Sequence, residues 1–524
     1  MKTVFLLLAS LLTRPALAAQ APAPAVPPPA APEVAPPARA PTQEEIAESA
    51  AVIEAADTRR LVTDAAYAAE ILRHLDRLAP SLSDDAEAAM AVDTLRLLAL
   101  ARLERRAEAE AVAQSILARR PTDPGNYLAP WITALTFEDM TAALEVIEAA
   151  SREVPGVGWP RLRALFAREV VMQIFARFQG ASHRPSRVRL AEALFRIGWP
   201  GENGEIADGL RIVLMEDRLD QNDVAGATGF AAAVTTPSSV LPLLVRKRYD
   251  ALLAPNADRL ALLGRALDER ERETTAALAA APRDSRRLLE RAQHLRSQGR
   301  DADALAVLAP ATRDVAATAA EEFGMWAVNE AAYALLALNR GGEAIRLMER
   351  IAAMPLERHY HLVSARINHL EVLTSVGRHA EALERAARLE AEGGRFASDY
   401  GKAWIDSTRV CALASLGRAP ETEAPLARLR GWSEINAPAL SRAYLCLNNL
   451  DAAAALLVQR LGRDDPVPAI LALQDYRLSR GPGQAGPMHA RFLSLRDRPE
   501  VRAALDRVGR VLSLPLARTY WGDF

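Results

Sequence analysis

Eight histidines and two cysteines are spread over 524 residues, so metal or nucleophilic chemistry would have to be built from few groups. Four histidines fall in one stretch, His359, His361, His369 and His379. On a helix, positions 361 and 369 share a face two turns apart, about 12 Å by the rise per residue. One metal ion cannot hold both directly across that span. Ala365 fills the slot one turn after His361 and Arg366 follows it, and neither is a ligand. The spacing predicts ordinary packing or surface histidines and no metal site. Acid pairs such as Glu321-Glu322 and Asp464-Asp465 are adjacent in sequence. Neighbouring helical positions do not face each other, so these read as solvated faces or caps rather than a general-acid pair. The nearest phosphate-loop candidate, Gly394 with Gly401-Lys402, has the wrong spacing, and Ala403 stands where Ser or Thr should meet magnesium. HExxH and GxSxG are both missing. The reading is a non-enzyme with no cofactor. Cys411 and Cys446 lie on expected helices about one repeat apart. They suit either a disulfide between adjacent helices or two buried free thiols, and the thiols are the preferred reading.

Few groups for chemistry leave the question of what the remaining chain builds. Half the residues are hydrophobic and a quarter are charged, which allows a large core and excludes global disorder. Alanine fills about a fifth of the chain and aromatics only 5%, a mix that favours helices over sheets. Net charge is −2, or −4 without a leader carrying Lys2 and Arg14, which excludes a strongly basic nucleic-acid binder.

The first residues read as a secretory signal peptide, residues 1–19. Lys2 supplies the positive start, Val4 to Leu12 the apolar run, and Ala16-Leu17-Ala18 the small-x-small cleavage pattern. No cysteine follows, so a lipoprotein anchor is not expected, and no later apolar run is long enough to span a bilayer. Residues 20–42 are almost entirely alanine and proline and read as a stiff, polyproline-rich linker. Together these features predict a periplasmic protein.

From about residue 43 the chain reads as helix, short break, helix. Residues 43–154 form N-terminal helical repeats, with Thr94 to Arg120 a clear hairpin broken at Glu104-Arg105-Arg106. A divergent helical region spans 155–280. Residues 281–460 repeat one skeleton four times: Ala292, Gly299-Arg300, Ala304; Ala332, Asn339-Arg340, Ala344; Leu370, Gly377-Arg378, Ala382; Val410, Gly417-Arg418, Thr422. Gly or Asn at the break accepts the left-handed conformation that ends a helix. Small residues on either side let two helices approach closely. An acid in the first turn of the second helix complements its dipole. Residues 461–524 read as a helical cap, with Tyr520 and Trp521 docked on the end of the array.

This skeleton resembles the tetratricopeptide repeat family over about 93–121 and 285–460. It departs in its period, near 40 rather than 34 residues, and in its scarce first-helix aromatics. The resemblance implies an all-α fold, a right-handed superhelix of antiparallel helix hairpins. It also implies a concave groove lined by the first helix of each hairpin. On that analogy the candidate groove residues are Trp326, Asn329, Tyr333, Ile367 and Glu371. The expected function is a scaffold binding a protein or peptide partner in an envelope assembly, with no nucleic acid. The alternative is a component acting on peptidoglycan, similar in layout to the superhelical part of lytic transglycosylases. Only 64 residues follow residue 460, too few for the catalytic domain of such an enzyme.

Overall fold

The computed structural model describes residues 41–518, apart from 83–84, 179, 200–203, 254–257 and 478–486. The signal-peptide and linker readings up to residue 40, and Tyr520 and Trp521, therefore lie outside the described residues. The chain divides into two compact units, one ending at residue 201 and the other beginning at 202. The division falls inside the stretch that lacks a clear repeat in sequence.

The first unit is all-α: α1 (Gln43–Glu54), α2 (Thr58–Thr63), α3 (Ala65–Leu78), α4 (Ala86–Arg102), α5 (Arg106–Arg119), α6 (Leu128–Thr136), α7 (Met140–Glu153), α8 (Trp159–Leu165), α9 (Arg168–Arg177) and α10 (Arg184–Arg196). Thr42 opens it with a reciprocal cap: its hydroxyl accepts from the Glu45 amide at 3.3 Å, and its own amide donates to the Glu45 carboxylate at 2.7 Å. The α4–α5 hairpin breaks at Glu104, whose φ of 57° places it in the left-handed region. Leu97, Leu100, Ala109, Ala113 and Ile116 are buried along the facing sides of that hairpin.

The second unit contains α11 (Gly204–Asp220), α12 (Val224–Ala232), α13 (Pro237–Val245), α14 (Arg259–Ala280), α15 (Ser285–Ser297), α16 (Asp301–Val307), α17 (Ala309–Arg313), α18 (Val315–Ala319), α19 (Glu322–Ala337), α20 (Gly341–Ala352), α21 (Leu362–Ser375), α22 (His379–Gly393), α23 (Asp399–Ser415), α24 (Glu423–Gly431), α25 (Ala437–Cys446), α26 (Leu450–Leu461), α27 (Val467–Ala472), α28 (Pro487–Arg496) and α29 (Pro499–Val508). Its repeat is the sequence skeleton made physical. The four turn residues, Gly299, Asn339, Gly377 and Gly417, have φ of 74°, 60°, 81° and 72°. The following arginine amide then reaches back to the carbonyl five residues earlier, as in Arg340 N–H to Leu335 O at 2.8 Å and Arg418 N–H to Leu413 O at 2.9 Å. Ala292, Ala332, Leu370 and Val410, with Ala304, Ala344 and Ala382, are all buried where the helices cross.

The acid of each motif has a second role besides meeting the helix dipole. It pairs with the arginine three residues earlier: Arg300–Asp303 at 2.8 Å, Arg340–Glu343 at 2.7 Å, Arg378–Glu381, and Arg418–Glu421 at 2.6 Å. Arg105–Glu108 repeats the device in the first unit at 2.6 Å. These pairs are exposed, so they set the geometry of the turn more than the stability of the fold.

First helices α15, α19, α21, α23 and α25 each pack directly against the next. Second helices α20, α22 and α24 pack against the following first helix rather than against one another. The first helices are thus crowded together on the inner side of the array, and their inward side chains can act in concert.

Two features depart from the sequence reading. Cys411 on α23 and Cys446 at the end of α25 form a disulfide, with Cα atoms 5.0 Å apart, rather than two free thiols. Adjacent parallel inner helices bring the two Cβ atoms together, which a one-dimensional spacing does not show. The cap also holds two short strands, β1 (Asp475–Arg477) and β2 (Ser513–Ala517), paired in parallel with Asp475 opposite Ser513 and Arg477 opposite Ala517. After the repeats the chain returns to the start of its own unit. The Arg510 amide donates to Val245 O and its guanidinium to Leu244 O, both at 3.0 Å, and Arg246 donates to Asp464 O at 3.1 Å.

Candidate binding cavity

The inner helices enclose a cavity of about 540 Å³. Its origin lies in one register position of the repeat. Six residues before Ala332 and Val410 stand Trp326 and Trp404, and at the matching position of α21, six before Leu370, stands Ser364. A serine between two indoles leaves the volume that a third large side chain would fill. Trp326, Ser364 and Trp404 all line the cavity, joined by Tyr333, Phe396 and Tyr400. Tyr400 and Trp404 meet edge to face with ring centroids 6.4 Å apart. Gly401 lets α23 approach α21: a Cβ there would stand 2.9 Å from Ile367 Cδ1.

Among these rings sits a pair of amides. Asn368 Nδ2 donates to Asn329 Oδ1 at 3.1 Å, and both residues line the cavity although their side chains are largely covered. The Asn329 amide nitrogen and the Asn368 carbonyl have no further hydrogen-bond partner among the described residues. One donor and one acceptor are therefore held side by side, the complement of a peptide unit. Behind them, Arg296 is buried between Glu330, with which it pairs, and Asp301 at 3.1 Å. Its guanidinium also lies over the Tyr333 ring, 5.6 Å from the centroid, and so supports that ring from below. Glu330 is the one ionisable carboxylate in the lining, and its charge is matched by Arg296.

Four candidate groove residues, Trp326, Asn329, Tyr333 and Ile367, are brought together in this cavity. Glu371 is not among its walls. It occupies the same register as Tyr333, one residue after the buried Leu370, but Arg442 from α25 crosses α23 and covers it. The Glu371–Arg442 pair is buried on both sides, and desolvation pushes the Glu371 carboxyl above the usual carboxylate range against the pull of Arg442. Sequence reasoning missed Asn368, Phe396, Tyr400, Trp404 and Gln293, all of which line the cavity. The signal for Trp404 was available, since it repeats Trp326 two blocks later. Asn368 had none, because it sits one position away from the register of Asn329.

The histidines are dispersed. His361 meets Ala319 O at 2.9 Å, and His369 is buried, with desolvation pushing its imidazole down to about 4. His294 instead faces Glu271 at 3.0 Å, and desolvation holds it below the usual imidazole range. Lys402 of the phosphate-loop candidate pairs with Asp399 at 2.9 Å. No group of three metal-ligating side chains occurs among the described residues. No helix among them is long and apolar enough to cross a membrane.

The geometry defines a tetratricopeptide-like helical repeat protein with an aromatic and amide cavity on its inner face. No protein-family model matches the chain, and no curated protein matches it. Among solved structures, "Structure of Naa15/Naa10 bound to HypK-THB" is similar at 15% identity over 91% of this chain and 75% of that one, with a TM-score of 0.29.

Proposed function

We propose that this protein is a non-enzymatic scaffold of the bacterial envelope that captures an extended segment of a protein partner in the inner cavity. The observation that carries the reading is the Asn329–Asn368 pair flanked by Trp326 and Trp404. Amides in fixed orientation bond a peptide backbone without reading its side chains, while indoles supply large contact area at low entropic cost. Export is supported by the leader of residues 1–19 and by the Cys411–Cys446 disulfide, since such bonds persist in oxidising compartments.

A photo-crosslinking residue in place of Ser364, in the full chain in living cells, tests the reading. The expected result is a recurrent adduct with one envelope protein, lost when Trp404→Ala is added. Adducts with glycan alone, or none at all, would transfer the weight to a wall-active role or abolish the binding reading.

A further inference from the structure

Five rings line the inner cavity, those of Trp326, Tyr333, Phe396, Tyr400 and Trp404, in a chain with only 5% aromatics. Core packing does not use them up. Trp326 and Phe396 are half-buried, and Tyr400 is 51% exposed. The chain itself omits a ring at Ser364, between the two indoles of the same register, and leaves that place to another molecule. An apolar void of about 150 Å³ already holds a benzene ring. At about 540 Å³ this cavity takes one large ring together with the peptide units on either side of it.

Charge narrows the occupant. Among the described residues no lysine, arginine or histidine lines the cavity, and the one carboxylate, Glu330, is matched by Arg296. A cationic or anionic side chain seated there would lose its hydration and find no counter-charge. An aliphatic side chain would fill volume but forgo the edge-to-face contact that rings make with one another, as Tyr400 and Trp404 already do. The polar groups narrow the occupant again. Asn329 Nδ2 can donate to the carbonyl of a peptide unit, and Asn368 Oδ1 can accept from its N–H.

We infer that the cavity is an anchor site for one uncharged aromatic side chain of the captured segment, its ring seated between Trp326 and Trp404 and its own peptide unit bonded by the Asn329–Asn368 pair; this rests on the peptide-binding reading above and names what the partner must present. The amides accept any backbone, so selectivity comes from the ring. Tyr400, exposed yet part of the wall, covers the seated ring from the solvent side. A segment with a charged residue at that place is refused, and one with an aliphatic residue is held more weakly.

The test titrates the full chain with four capped amino acids, the N-acetyl amides of phenylalanine, leucine, glutamate and lysine, while tryptophan fluorescence is read and calorimetry repeats the measurement. The phenylalanine probe should saturate with a Kd on the order of 1 mM, the range for a ligand of its size. The leucine probe should bind about tenfold more weakly, and the glutamate and lysine probes more weakly still. Tyr400→Ala, at an exposed position whose loss should leave the melting temperature unchanged, should weaken the phenylalanine probe about fivefold. Ser364→Asp supplies a counter-charge and should let the lysine probe bind at least as tightly as the phenylalanine probe. Absence of phenylalanine binding, equal binding of any other probe to the unaltered chain, indifference to Tyr400→Ala, or no gain of lysine binding in Ser364→Asp would each overturn the inference. If the phenylalanine probe fails while the Ser364 crosslinker still captures an envelope protein, this inference falls and the scaffold reading stands. If the probe binds while the crosslinker captures nothing, the site takes free aromatic ligands rather than a protein segment, and both fall.

Discussion

Removing Arg442 from beside the cavity should expose how the inner helices are held. Arg442 on α25 reaches over α23 to Glu371 on α21, with side chains only 6% and 3% exposed. Ser375 donates to the same carboxylate oxygen at 3.4 Å, and the other oxygen has no hydrogen-bond partner among the described residues. Arg442→Met keeps an apolar stem but leaves the carboxylate buried without its counter-charge, at a cost of about 3–5 kcal/mol. With an unfolding entropy near 2.1 cal/mol/K per residue, a unit of this size has about 0.7 kcal/mol/K, so the melting temperature should fall by ~4–7 °C. The Glu371→Leu, Arg442→Met double variant removes both charges and should return to within about 1 kcal/mol of the parent. Acidification supplies the sign. The folded pKa of Glu371 is raised above its unfolded value of 4.5, so its contribution is most favourable below 4.5 and is lost as pH rises through the folded pKa. The deficit of Arg442→Met should therefore shrink as pH is lowered. Calorimetry and urea unfolding at several pH values read all three quantities. A single variant costing under about 1 kcal/mol, or a double variant as unstable as the single, would refute a buried, mutually dependent pair.

Four further substitutions follow from the same packing. His369 is depressed to about 4 from 6.5, so stability is full above 6.5 and should decline as pH falls toward 4, by up to ~1.4 kcal/mol per pH unit; His369→Leu should flatten that decline in urea titrations. The disulfide closes a loop of 35 residues, so Cys446→Ala should cost about 3–4 kcal/mol at neutral pH and make the melting temperature indifferent to reductant. At Gly324 a Cβ would stand 1.9 Å from the Thr318 carbonyl oxygen, so Gly324→Ala should destabilise by roughly 1–3 kcal/mol. Gly264→Ala on α14 meets open space and should stabilise by roughly 0.5–1 kcal/mol in the same unfolding assay, which separates the clash from the generic effect of adding a methyl.

The repeat was legible because its signals are local. A glycine or asparagine at positive φ, a small or apolar residue seven positions earlier and an acid near the start of the next helix all act within one hairpin, so residue types alone determine where the helices turn. The all-α class follows from the same local preferences, while the groove positions of Trp326, Asn329, Tyr333 and Ile367 came from the resemblance to the tetratricopeptide family. What required the tertiary structure are relations between hairpins. Ser364 makes a cavity only because its neighbours at one register are indoles. Glu371 is hidden by an arginine 71 positions away, and the cysteines pair because α23 and α25 lie side by side. The return of Arg510 to Val245 spans more than half the chain. Such contacts depend on how helix rows pack across the array, and the periodicity of a single helix carries no information about a partner so far along the chain.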